Sequence, residues 1–195
     1  ITGFEAYVKS WIRYFELDHQ YISVLADEKS SGADFSKEVT PLVAVTWGQS
    51  CLYNDHCPVD SSGYCNHARA GCGATAMAQI MKYHNYPVSG IGSHAYLHPL
   101  YGQLYADFGS TQYDWSNMPV KLFNYSPPEE IEAVAELIYH CGVAVEMDYA
   151  YNASYSGSVS IRNAFVDFFD YSPDAQIIIK ANYSDSTWHA LLRNE

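Results

Sequence analysis

From Cys72 onward, Ala74, Met77, Ala78 and Met81 recur every third or fourth position, no β-branched run interrupts them, and Asn85 with Pro87 supplies a stop. This period predicts a helix that opens at Cys72 and ends before Asn85. The period returns at Ile131, Val134, Leu137 and Ile138, where Ser126-Pro127-Pro128-Glu129 predicts a capping box with proline at the first helical position and Gly142 predicts the stop. Val143 to Met147 alternates toward a loop, Ser158 to Phe169 predicts another amphipathic helix, and Gln176-Ile177-Ile178-Ile179 predicts a strand. Ser186 to Glu195 predicts a last helix, with Trp188, Leu191 and Leu192 on its buried face. At the other end, Phe4, Tyr7, Val8, Trp11, Ile12 and Phe15 predict an amphipathic helix within residues 1–25 that must cover something apolar. The polar stretch at residues 26–38 then reads as an exposed linker.

Cys72 follows a glycine at the mouth of its helix. Unpaired N–H groups and the positive end of the helix dipole favour a thiolate there, so a lowered pKa is expected and Cys72 is a candidate nucleophile; the alternative is a small core residue on an Ala-rich helix. Trp47-Gly48-Gln49 lies about twenty residues upstream in a loop dense with Gly, Pro, Asn and Asp. An acyl-transfer site needs donors for a tetrahedral oxyanion, and the Gln49 amide with the Cys72 N–H can supply them, against the alternative of a surface glutamine.

Composition fits a folded extracellular enzyme domain. With 195 residues, 48% of them hydrophobic, the chain can bury a sizeable core, and a formal charge of −12 argues against nucleic acid or an anionic membrane as partner. Eighteen tyrosines offer apolar area with polar tips, as peptide clefts use. No apolar run approaches a membrane span, and the chain does not open with a signal peptide, so its first residue reads as a processing boundary. Five cysteines are an odd number, which leaves at least one thiol free. Cys51, Cys57 and Cys65 crowd the loop before Cys72, and two of them can close a small disulfide whose connectivity spacing does not give. Structural zinc on Cys51, Cys57, Cys65 and His67 is the competing account, but the gaps lack the paired short spacing of zinc sites.

A longer pattern connects these residues. Trp47-x-Gln49, Tyr53-Asn54, Cys57-Pro58 and Gly71-Cys72-x-Ala74-Thr75-Ala76-x-Ala78-Gln79-Ile80-Met81-Lys82-Tyr83-His84-Asn85-Tyr86-Pro87 resemble the streptopain family of secreted bacterial cysteine peptidases. Gln112-Tyr113-Asp114-Trp115-Ser116-Asn117-Met118, then Gly142 to Tyr149, then Ser156-Gly157-Ser158 continue the resemblance in order. It implies an α+β, papain-like fold, of which this chain covers the helical half and the start of the β-barrel half. It implies a secreted or cell-surface endopeptidase acting on polypeptides without cofactor or metal, with Cys72 as nucleophile and Gln49 in the oxyanion hole. Residues 1–38 would be the tail of an inhibitory propeptide with its linker, and 39–195 the N-terminal part of the peptidase domain, beginning near Val39-Thr40-Pro41-Leu42. Met147 and Tyr149, with Ser158, match the segment that borders the pocket for a hydrophobic residue two before the cut bond; the alternative is a Tyr/Ser-rich turn.

The family's general base lies in a Gly-His-Ala-Phe-Val type segment, which this chain does not match. His189 lies in a His-Ala pair, yet it belongs to the amphipathic helix expected before that segment. His84 follows Cys72 by twelve residues on one helix, roughly 18 Å along the axis, which rules out a hydrogen bond. His56 and His67 lie in the loop before Cys72 and are the remaining internal candidates; His19, His94, His98 and His140 carry no distinguishing feature. The base is therefore expected on a C-terminal segment or second chain beyond residue 195. The competing functional class is a non-catalytic papain-like adhesion or binding module, or an inhibited zymogen fragment.

Overall fold

The computed structural model describes residues 43–156 and 158–194. The helix expected within 1–25, the linker at 26–38 and the junction at 39–42 lie outside the described residues. The described residues fall into two units, one spanning Val45–Ile178 and the other containing 43–44 and 179–194.

In the larger unit the helical period behaves as expected. Helix α1 spans Cys72–His84, and Asn85 closes it in the left-handed conformation, its N–H returning to Lys82 and Met81 carbonyls. A two-stranded antiparallel hairpin follows, β1 (Ser93–His98) and β2 (Gly102–Asp107), with Ser93 opposite Asp107 and His98 opposite Gly102. Its loop has three residues, and Gly102 at φ 76° takes the left-handed position that such loops require. Helix α2 spans Pro128–Ala144 and helix α3 spans Ser158–Phe168, both packing on α1 or on each other.

The core lies between α1 and α2. Met77 and Met81 meet Val134, Leu137, Ile138 and Cys141, all essentially excluded from water, and the Cys141 thiol points at the Met81 sulfur 3.6 Å away. Each such aliphatic side chain stabilises the fold by about 1.5–3 kcal/mol, which makes α1 a rigid platform. Phe108, Tyr113 and Phe169 close the cluster, with His140 buried against Phe108 and hydrogen-bonded to the Tyr113 hydroxyl at 3.1 Å.

Three local expectations need correction. The capping box at Ser126 does not form: its hydroxyl instead accepts the Phe123 N–H at 3.2 Å, and the acidic Glu129 and Glu130 complement the start of α2. Gly142 is not the stop, because α2 continues to Ala144; glycine is needed there because a Cβ would stand 2.0 Å from the Tyr149 hydroxyl. Residues 176–179 form no strand, and Ile177, Ile178 and Ile179 are exposed. A strand requires a neighbour for its N–H and C=O groups, and among the described residues none pairs with this stretch.

The hairpin was not signalled by the pattern because its polarity is inverted. His94, Tyr96 and His98 face the body of the unit while Leu97 is 79% exposed. The inward side chains meet the chain after α2: His94 Nε2 lies 3.1 Å from Glu146 Oε1, Tyr96 donates to the Met147 carbonyl at 2.6 Å, and His98 Nε2 lies 3.3 Å from Asp148 Oδ1.

In the second unit, helix α4 spans Asp185–Asn194, close to the expected bounds. Ser184 caps it by accepting the Thr187 N–H at 3.2 Å. Trp188, His189 and Leu191 are half-buried, and in the first turn the hydrogen bond and charge of Lys180 lower the Asp185 carboxyl. Among the described residues no helix is long and apolar enough to cross a membrane.

Candidate active site

The chain reaches Cys72 through Gly71, whose φ of 88° an L side chain rarely adopts. A Cβ on Gly71 would stand 2.7 Å from both Sδ and Cε of Met147, and one on Gly73 would stand 2.7 Å from Ser156 Oγ. Glycine on both sides of the cysteine thus lets the segment 147–156 close against the first turn of α1. Cys72 is half-buried there, one of three free cysteines. Burial pushes its thiol up, and the N–H groups of Gly73 and of Cys72 itself pull against that without overcoming it. The lowered value expected from the helix terminus is therefore not reached: the donors are present, but desolvation is larger. No imidazole among the described residues is a cause of the shift.

The segment carrying Gln49 is held by three consecutive carbonyls, two bonded to α1 and the third to the stretch that leads into it. Trp47 O accepts from Gln79 Nε2 at 3.0 Å, Gly48 O lies 3.4 Å from Thr75 Oγ1, and Gln49 O accepts the Ala70 N–H at 3.0 Å. Thr75 also donates to Gly71 O at 3.0 Å. Lys82 extends the same face of the helix, donating to Trp115 O at 2.6 Å. On the other side Trp47 is buried and donates from Nε1 to Pro119 O at 2.8 Å. Gln49 is half-buried, and its carbonyl partner Ala70 lies two residues before Cys72. Thr75, Gln79 and Lys82 were not singled out from the sequence, although polar residues at i, i+4 and i+7 in an otherwise apolar helix are the signal that would have found them.

A disulfide joins Cys51 to Cys65 and settles the connectivity left open by spacing. It removes two thiolates from the zinc account, and Cys57 is buried with its thiol pushed up to about 12 by desolvation. Inside the disulfide loop Asn54 is fully buried, donating to Tyr64 O at 3.0 Å and Ala68 O at 3.1 Å, while His67 Nδ1 lies 2.7 Å from Cys57 O. The loop is thereby folded back onto the stem that leads to Cys72.

Of the residues expected at the substrate pocket, Met147 and Tyr149 are buried, with exposures of 0% and 1%. They present no surface to a ligand in this arrangement; Met147 fills the space behind Gly71, and Tyr149 the space beside Gly142. Ser158 is the first residue of α3. The internal candidates for a base are engaged elsewhere: His56 Nε2 lies 3.0 Å from Glu132 Oε2, and His67 meets Cys57 O. His84 sits at the far end of α1, against Tyr83 and Tyr171.

The chain is similar to several known cysteine and thiol proteases. Streptopain of Streptococcus pyogenes is 34% identical over 148 residues, which cover 71% of this chain and 36% of streptopain, so the chain spans about a third of that relative's length. The thiol protease/hemagglutinin PrtT of Porphyromonas gingivalis is 29% identical over 154 residues, covering 77% of this chain and 17% of its own. Among solved structures, active interpain A cysteine protease of Prevotella intermedia superposes with a TM-score of 0.71 at 37% identity, over 77% of this chain and 62% of that one. A prointerpain A fragment gives the same score and identity, with 49% of its length covered. The α+β, papain-like fold expected from the motifs is thus the fold of the chain. The Peptidase C10 model matches residues 47–195, from the tryptophan bound to Gln79 through helix α1 to the last residue, and the chain belongs to the peptidase C10 family.

Proposed function

We propose that this chain carries the nucleophile and oxyanion half of a secreted cysteine endopeptidase. The observation that carries the reading is the joining of two elements: the Gly71-Cys72-Gly73 turn at the mouth of α1, and the Trp47–Gln49 segment hydrogen-bonded to that same helix. In the reaction the Cys72 sulfur attacks the peptide carbonyl, and the oxyanion is held by the Cys72 N–H and the Gln49 side-chain amide. A histidine outside these 195 residues takes the thiol proton and returns it to the leaving amine; water then releases the acyl group. The unassisted, upward-shifted Cys72 thiol supports an external base, because an imidazole partner is what would offset its burial. The Cys51–Cys65 disulfide supports export, since such bonds persist in oxidising compartments.

Residues 39–195 are then the first part of the peptidase domain, and 1–38 the end of an inhibitory propeptide; the likeness to a prointerpain A fragment supports such a precursor. The substrate is an extended polypeptide with a hydrophobic residue two before the cut bond, in a pocket bordered by Ser158 and supported from behind by Met147 and Tyr149. The test is an assay of residues 1–195 alone, then with the downstream part of the same protein, on a fluorogenic peptide of that type. Hydrolysis is expected only from the combination. Full activity from the isolated chain would return the base to one of its own histidines, and no activity from either would favour a binding module.

A further inference from the structure

We infer that Gln79 is a positioning residue for the oxyanion hole, acting through the Trp47 carbonyl on the placement of Gln49. This rests on the reading of Gln49 as the side-chain donor. Gln79 lies seven residues after Cys72 on α1, about 10 Å along the axis, too far to touch the reacting atoms. Its amide nevertheless donates to Trp47 O at 3.0 Å, two residues before Gln49, and of the two contacts between this segment and α1 it is the one whose side chain has a single carbonyl to serve. Thr75 has one hydroxyl proton and its shorter contact is Gly71 O, at 3.0 Å against 3.4 Å for Gly48 O. Ala70 N–H holds the far end of the segment at Gln49 O. Gln79 therefore fixes the near end.

The chemistry of that end requires a donor. An apolar side chain of the same size would leave the half-buried carbonyl unpaired, and an ionised carboxylate would set acceptor against acceptor. The peptide plane would rotate to find another donor, and the rotation would pass through Gly48 to Gln49. An oxyanion donor acts over a narrow range of distance, so a shift of this kind reduces the stabilisation of the tetrahedral state and leaves ground-state binding alone.

The experiment uses the complete peptidase that contains this chain, with Gln79→Met as an isosteric loss of the donor and Gln79→Glu as its reversal. Both variants are expected to lower kcat by about tenfold or more with KM within twofold. The affinity for a peptide aldehyde, whose adduct with Cys72 carries a tetrahedral oxygen, is expected to fall by the same factor. Alkylation of Cys72 by iodoacetamide, which needs no oxyanion hole, keeps its rate. In a Gln49→Ala background, Gln79→Met is expected to add no further loss of kcat. A change in thermal midpoint with kcat unchanged, or equal losses in both backgrounds, would overturn the inference, as would failure of both variants to fold. An unchanged kcat for Gln49→Ala alone would instead overturn the reading on which it rests.

Discussion

Met147 lies directly behind Gly71: its Sδ and Cε each stand 2.7 Å from where a Cβ on Gly71 would be. The residue before Cys72 is thus fixed as glycine twice over, by contact and by its φ of 88°. Gly71→Ala is expected to lower stability by roughly 2–5 kcal/mol, the sum of left-handed backbone strain and overpacking. Gly92→Ala is the control, since Gly92 has φ 59° and nothing within 4 Å, so only the backbone part, about 1–2 kcal/mol, is lost. Urea unfolding midpoints of the two variants measure the difference; equal losses would remove the contact with Met147 from the account.

Cys72 is expected to be the thiol that iodoacetamide labels first. Cys57 and Cys141 are buried, and desolvation holds both thiols far from ionisation at neutral pH. Because burial also pushes the Cys72 thiol up, its labelling rate in the isolated chain should keep rising with pH through the alkaline range. In the complete enzyme, with an imidazole partner, the rate should level off at lower pH. Peptide mapping with mass spectrometry across pH checks both statements; first labelling at Cys57 would refute the assignment.

The Cys51–Cys65 bond closes a loop with a sequence separation of 14. Restricting the unfolded chain by a loop of this size is worth about 3 kcal/mol. A Cys51→Ser, Cys65→Ser double variant is expected to melt at lower temperature by that measure, and dithiothreitol should shift the wild type but not the variant. A reductant-dependent shift in the variant would place the effect at another bond.

His140 gives the fold an acid limit. Burial, with a smaller contribution from the His56 charge, pulls its pKa from 6.5 down to about 4. The depressed value means that the unfolded chain binds the proton more readily, so the stability is present above pH 6.5 and is lost as pH falls toward 4. Between pH 7 and pH 5 the loss is about 2 kcal/mol. His140→Gln, which can keep a hydrogen bond to Tyr113, should flatten that part of the profile in urea titrations at the two pH values. An identical slope would assign the acid sensitivity to other groups.

Legibility in the sequence followed the physics of each element. The helix at Cys72 was readable to its ends because local period, a left-handed Asn85 and the apolar face all agree. The hairpin was not, because its inward face is His94, Tyr96 and His98, and the acidic partners Glu146 and Asp148 that justify burying them come fifty residues later. Residues 176–179 show the converse: three isoleucines have the propensity of a strand, and no described neighbour completes one. The family was legible through the motif that carries Gln49 and Cys72, but the burial of Met147 and Tyr149 was not, since a pocket wall and the layer behind it share the same composition. The pairing of Cys51 with Cys65 likewise depends on how Asn54 folds the intervening loop.

The row of Thr75, Gln79 and Lys82 gives α1 a second role as a datum for its surroundings. In the proposed roles, the Cys72 sulfur and the carbonyls of Trp47 and Gly48 that locate Gln49 are referenced to one rigid rod. A thermal translation of that rod carries both together, so the displacement is common to the two and cancels in the distance between them. The site can therefore tolerate movement of the helix within the core while keeping its internal spacing, and only motions that shear the Trp47–Gln49 segment along the helix change the reaction geometry.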